Sequence, residues 1–177
     1  SICRITKGKN IGNLIKAFNK LLSLNYNIRL DIYGTGEDEK ELKKLKKHKK
    51  HIIFKGEYNH TELMKKITSY DYFILASLHE TFGRVWIEAC SAGLPIISTN
   101  NGNLKNIIID DYNGILTGND TKKIRKSIIK SYNLKSEKYK YMSANAIKTA
   151  KNYTQNKVVG DLLNILMNSG IISRTWP

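Results

Sequence analysis

Metal-ligand clusters, a disulfide framework, membrane-spanning runs and an acidic surface are all missing from this 177-residue chain. Its two cysteines, Cys3 and Cys90, lie far apart, so neither a metal cluster nor a stapled scaffold is expected. No apolar run approaches the ~20 residues that span a bilayer. The opening SICRITKGKN has neither the apolar centre nor the small-residue cleavage site of a secretory signal. These absences lead to the expectation of a reducing, cytoplasmic compartment. Internal repeats and low-complexity linkers are missing as well. The whole chain, 1–177, is therefore expected to be one domain, long enough to bury a real core.

Acidic residues are outnumbered, 15 against 30 lysines and arginines, for a net charge of +15. Lys40, Lys43, Lys44, Lys46, Lys47, Lys49 and Lys50 crowd one stretch. Such a surface attracts nucleic acid, anionic lipid or an anionic substrate. A solvated helix face in a chain with a general Lys and Asn bias gives the same pattern. Aromatic residues suited to base stacking do not interleave with the run, which argues against nucleic acid. Hydrophobic residues at 41% and charged residues at 25% are globular values and exclude disorder.

Two hydrophobic periods alternate along the chain. After an apolar stretch over Ser1 to Ile5, Asn10 is expected to cap a helix whose stripe is Ile11, Leu14, Ile15, Phe18, Leu21 and Leu22. Ile28 to Tyr33 reads as a strand broken at Gly34-Thr35-Gly36. Asp38 to Lys47 reads as a helix, Ile52 to Phe54 as a strand, and Thr61 to Tyr70 as a helix. Tyr72 to Ala76 is a strand covered on both faces. Arg84 to Ala92 is a helix closed by Gly93, followed by strands at Pro95 to Thr99 and Ile115 to Leu116. From Thr121 to Met167 the pattern is helical, with a break near Asn133 to Ser136. Strand and helix in alternation predict an α/β domain with a parallel sheet between helical layers.

In such a sheet, ligands bind outside the carboxyl ends of the strands. Four loops there carry chemistry. Arg4 and Lys9 bracket a turn at a strand-to-helix junction, where cations and free helix amides suit a diphosphate. Gly34 and Gly36 permit close backbone approach or positive φ, or simply make a tight turn. No G-x-G-x-x-G and no Walker Lys-Ser/Thr is present. Ser77 to Glu88 carries two carboxylates, Glu80 in the loop and Glu88 two turns into the helix. Two turns separate them by roughly 12 Å, too far to share a proton but suited to opposite ends of one long ligand. Glu88 lies among Ile87, Ala89, Cys90 and Ala92, and a buried Glu requires a partner. Asn100 to Asn106 supplies polar side chains at a fourth strand end.

In this order the four loops resemble the C-terminal domain of the family 4 glycosyltransferases, which adopt the GT-B fold. RITKGKN resembles the family's first phosphate-binding motif and DIYGTGEDEKEL its G-x-G segment. FILASLHETFGRVWIEACSAGLPIIST resembles its E-x7-E signature, and DDYNGIL its later turn. The likeness runs from Ser1 to about Leu116 and, more loosely, through YTQNKVVGDLLNIL. It implies the C-terminal half of a GT-B fold, three-layered and Rossmann-like, with a nucleoside-diphosphate sugar as donor and no bound metal or other cofactor.

By that resemblance Arg4 and Lys9 hold the diphosphate and Glu80 takes hydroxyls of the donor sugar. The main chain of Thr81, Phe82 and Gly83 lies close to sugar and phosphate, and Glu88 accepts from the ribose hydroxyls. Gly34 and Gly36 belong to the same site, while the loop of Gly102 and Asn103 approaches the diphosphate. Cys3 stands where the family usually has Gly. The implied reaction is sugar transfer with retention to a glycan or lipid-linked acceptor. The acceptor-binding N-terminal domain is expected to be absent from this chain, and the chain alone is expected not to turn over. The basic surface permits contact with an anionic membrane. Two other readings remain: a GT-B nucleotide-sugar epimerase, against which the E-x7-E spacing argues, and a non-catalytic basic binding module.

Overall fold

A computed structural model describes residues 1–79, 84–102, 104 and 107–153. A 3-10 turn (Lys7–Lys9) leads into α1 (Ile11–Leu22), β1 (Leu30–Tyr33), α2 (Glu39–Lys44), β2 (Ile52–Gly56) and α3 (His60–Lys66). Then come β3 (Phe73–Leu75), α4 (Arg84–Ser91), β4 (Ile96–Thr99), β5 (Gly114–Thr117), α5 (Thr121–Tyr132) and α6 (Ser136–Lys151). All the named strand pairings are parallel, as the alternation predicts.

Period-two alternation along the strands separates two apolar layers. Ile74 and Ile97 face one core with Leu14, Ile15, Phe18, Ile124 and Ile128 of α1 and α5. Phe73, Leu75 and Ile96 face the other, with Leu63 of α3, Trp86 and Cys90 of α4, and Ala146 and Ala150 of α6. Helices therefore cover both faces of the strands, α1 against α5 on one side and α4 against α6 on the other. Trp86, Leu14, Ile15 and Ile96 are fully buried, each contributing roughly 1.5–3 kcal/mol of burial. The expected three-layer, Rossmann-like α/β architecture is what forms.

The elements are trimmed relative to the sequence pattern. The helix expected to run to Lys47 ends at Lys44, and the strand expected from Ile28 starts at Leu30. The helix expected to reach Tyr70 stops at Lys66 and closes in a 3-10 turn, Ile67–Ser69. Gly93 closes α4 with φ +78, as expected. Of the long C-terminal pattern, α5 and α6 with their break are seen, and the remainder to Met167 lies outside the described residues.

The described strands fall into two sets rather than one sheet, β1-β2 and β3-β4-β5. The opening residues bond towards β1: Tyr33 N–H donates to Ser1 O at 2.9 Å and Cys3 N–H to Tyr33 O at 3.0 Å. Among the described residues none of their backbone bonds reaches β3. A cavity of about 1050 Å³, bordered by Leu30, Asp31, Tyr72 and Ile74, interrupts the strands at that position.

Candidate functional site

Because the strands are parallel, the segments that follow them emerge at one edge, and hydrogen bonds stitch several of these together. Leu78 N–H, after β3, donates to Gly8 O at 2.8 Å and ties that loop to the Arg4–Lys9 turn. Asn101 Nδ2, after β4, donates to Leu78 O at 2.8 Å and Ser77 O at 3.2 Å. Thr99 Oγ1 donates to Ser77 O at 2.6 Å. Gly34 N–H, after β1, donates to Gly56 O at 2.8 Å at the end of β2.

Gly34 and Gly36 are required by close approach, here to the chain's own backbone. A Cβ on Gly34, at φ +111, would stand 2.0 Å from Cys3 O, and one on Gly36 would stand 2.1 Å from Ile5 O. Ile5 N–H donates to Thr35 O at 2.9 Å across the same contact. The glycines thus press the turn after β1 onto the segment carrying Arg4. Arg4 is exposed and Lys9 half-buried, so both cations border this edge.

Asn10 corrects an expectation. It stands at the head of α1 in the left-handed region (φ 56), where its side chain makes no capping bond. Its Nδ2 instead donates to Asn119 O at 2.7 Å, and its Oδ1 accepts from Asn13 Nδ2 at 2.9 Å. The residue joins the start of α1 to the segment leading into α5. Satisfying a buried amide across the fold outweighs a local cap.

Glu88 lies a little over one turn into α4 with its side chain 27% exposed. The partner that its burial demands is His60, at the start of α3. Nε2 of His60 is 3.1 Å from Oε1 of Glu88. A carboxylate only accepts, so Nε2 carries the proton in this bond. The other oxygen, Oε2, is enclosed and without a hydrogen-bond partner among the described residues. The Tyr58 hydroxyl is pushed up by burial first and by the negative charge of Glu88 second, which puts Tyr58 in the same neighbourhood. The Tyr58 ring packs edge-on against Tyr33 at 5.9 Å between centroids.

Gly34 and Gly36 follow β1 and Glu88 lies in the helix after β3, while Arg4 and Lys9 follow a single bridge residue, Ile2, paired with Tyr33. Gly102 follows β4, is exposed and has φ +60. Glu80, Thr81, Phe82, Gly83 and Asn103 lie outside the described residues. Sequence reading missed His60 and Tyr58. The signal that could have found them is their place two to four residues past Gly56, in another loop after a strand.

The cavity of about 1050 Å³ lies towards the opposite edge, among Arg29, Asp31, Tyr70, Tyr72 and Ser131. Several of its polar groups bond one another, although Ser1 Oγ on its border is enclosed without a hydrogen-bond partner among the described residues. Asp31 accepts from Arg29 Nε at 2.8 Å and Tyr70 Oη at 2.8 Å. Tyr70 Oη in turn lies 2.8 Å from Tyr33 Oη. Burial works to raise the Asp31 carboxyl, yet the bonds from Arg29 and Tyr70 and the nearby Lys55 charge hold it below its ordinary value. That cluster acts as a structural network, and the carboxyl edge is the candidate site.

Among the described residues no group of three or more His, Cys, Asp or Glu could hold a metal ion. None of the described helices is long and apolar enough to cross a membrane. The Lys-rich stretch is partly engaged locally. Lys43 pairs with Glu39 at 2.6 Å and Lys44 with Glu41 at 2.6 Å, while Lys46 lies over the Phe54 ring at 5.4 Å.

Parallel strands between helical layers, with their loops gathered at the carboxyl edge, define a Rossmann-like α/β class of domain. The family described as glycosyl transferases group 1 matches residues 1–149, and the chain belongs to it. A curated relative, the alpha-monoglucosyldiacylglycerol synthase of Acholeplasma laidlawii, is 36% identical over 117 residues, covering 64% of this chain and 29% of that protein. The chain spans 29% to 36% of the length of the first curated relatives it matches.

Among solved structures, a variant of S. aureus TarM with fondaparinux, alpha-GlcNAc-glycerol and UDP superposes at TM-score 0.81. It is 21% identical, and the match covers 92% of this chain and 34% of that one. The C-terminal domain of LpcC, a glycosyl transferase group 1 protein from Francisella tularensis, superposes at TM-score 0.75 and is 24% identical. That match covers 89% of this chain and 85% of that domain. These likenesses place the fold with GT-B glycosyltransferase domains.

Proposed function

We propose that this chain is the donor-binding, C-terminal domain of a retaining family 4 glycosyltransferase. Its ligand is a nucleoside-diphosphate sugar. The observation that carries the reading is the bond from Leu78 N–H to Gly8 O. It brings the cation-bearing Arg4–Lys9 turn against the loop that leads into the helix of Glu88. A ligand with a diphosphate at one end of that edge and vicinal hydroxyls at the other matches the chemistry offered.

In this account Arg4 grips the diphosphate through its planar fork and Lys9 supplies a point charge. As the sugar–phosphate bond breaks, the leaving diphosphate gains negative charge, and these cations stabilise it with no bound metal. Glu88 accepts from the ribose. Glu80 takes hydroxyls of the donor sugar, with the main chain of Thr81, Phe82 and Gly83 and the loop of Gly102 and Asn103 beside it. An N-terminal acceptor domain completes the active site, so the chain alone binds donor without turning it over. The glycolipid synthase among its relatives supports a lipid-linked acceptor. The net charge of +15 favours docking on an anionic membrane from the cytoplasmic side. Co-sedimentation with anionic but not neutral vesicles checks that last point.

The test is calorimetric titration with UDP-, GDP- and ADP-sugars. Saturable binding of one of them is expected. A folded sample that binds none would sink the reading. Equal affinity for several generic nucleic acids, steeply weakened by salt, would favour a basic binding module instead.

A further inference from the structure

We infer that His60 is a positioning residue for donor binding: it anchors Oε1 of Glu88 and so holds the carboxylate in one orientation for a ribose hydroxyl that shares that oxygen. The inference rests on the donor-site reading above and adds a residue that neither the carboxylate signature nor the four loops contain.

Three observations support it. The His60 to Glu88 contact joins two separate elements, α3 and α4, across 28 residues of sequence, at 3.1 Å. The two oxygens of Glu88 are in different situations: Oε1 is engaged, and Oε2 is enclosed with no partner among the described residues. A carboxylate oxygen carries two lone pairs, so Oε1 accepts from His60 and from a ribose hydroxyl at once. Lastly, His60 is 60% exposed and absent from both apolar cores, so core packing does not explain its contact with Glu88.

A free glutamate in water samples many rotamers, and ordering it on binding has an entropic cost. Anchoring Oε1 removes much of that cost before the ligand arrives, which is preorganisation in its usual sense. Imidazole suits the task because it is rigid and donates through one fixed N–H. Glutamine can place an amide N–H at a similar distance, whereas alanine cannot.

The test is calorimetry with UDP on the wild-type chain and on the His60→Ala, His60→Gln and Glu88→Ala variants, repeated with 2′,3′-dideoxyuridine diphosphate. His60→Ala is expected to weaken UDP binding about fivefold, with His60→Gln restoring most of the loss. Against the dideoxy ligand, which offers no ribose hydroxyl, His60→Ala and wild type are expected to match. A His60→Ala chain that binds UDP like wild type overturns the inference while Glu88→Ala still reports on the donor site. An equal loss for both ligands also overturns it, because the effect is then general rather than directed at the ribose. If the wild-type chain binds neither UDP nor the GDP and ADP controls, the inference and the donor-site reading both fail.

Discussion

The two edges of the strands handle polar groups in opposite ways. Towards the amino edge, Asp31 accepts from Arg29 and Tyr70, and Tyr70 Oη also meets Tyr33 Oη at the far end of β1. At the carboxyl edge, Glu88 keeps one oxygen without a partner and Arg4 stands exposed. The first arrangement stabilises a fold. The second leaves interaction energy for a ligand. A cavity lies beside the first edge, yet the exposed cation and the loops after the strands point to the second.

The largest effect expected from breaking this contrast is at the backbone contact that shapes the carboxyl edge. Gly36→Ala sets a Cβ 2.1 Å from Ile5 O, with backbone atoms only around it. Overpacking of that kind is expected to cost about 3 kcal/mol and to abolish donor binding with it. Chemical denaturation reads the first effect and calorimetry the second.

Next come Arg4→Ala and Glu88→Ala, each expected to weaken nucleotide binding roughly 10- to 100-fold, the range for hydrogen bonds to charged groups. Their melting temperatures are expected to stay close to wild type. Asp31→Ala should give the reverse pattern. It leaves Arg29 and Tyr70 without their acceptor and is expected to cost about 2 kcal/mol of stability, with donor affinity unchanged.

The same residue sets a pH dependence. The Asp31 carboxyl lies below its ordinary value in the fold, so the unfolded chain binds its proton more readily. The stabilisation is therefore complete above the ordinary carboxylate range and is lost as pH falls through the lowered folded value. Denaturation midpoints between pH 7 and pH 3 should fall for wild type, and fall less for Asp31→Asn. The smallest expected effect is at Cys90, whose thiol burial pushes up to about 12. Thiol reagents at neutral pH should leave it unmodified until the chain unfolds, which timed labelling checks.

Much of this was legible in the sequence, for local reasons. The stripe from Ile11 to Leu22 and the apolar run at Phe73 to Leu75 each fix an element by their own period. The parallel order then gathers Gly34, Gly36 and Glu88 at one edge, and the bonds of the opening segment to Tyr33 and Thr35 bring Arg4 beside them. What escaped depends on distant partners. Asn10 has the composition of a cap, yet its amide is claimed by Asn119, far along the chain. His60 is a lone histidine in a basic segment, and nothing local singles it out. The separation of β1 and β3 depends on how far the opening segment bonds to each side, which no period records.

The central claim is that the carboxyl edge, and not the cavity beside Asp31, takes the nucleotide. Amide chemical-shift mapping tests it most directly, with labelled protein titrated with UDP and, in parallel, GDP and ADP. The account predicts shifts at Gly8, Gly34, Gly36, His60, Leu78 and Glu88, with Asp31, Tyr72 and Ser131 unmoved. Shifts centred on Asp31, Tyr72 and Ser131, with the glycine turns silent, would contradict it.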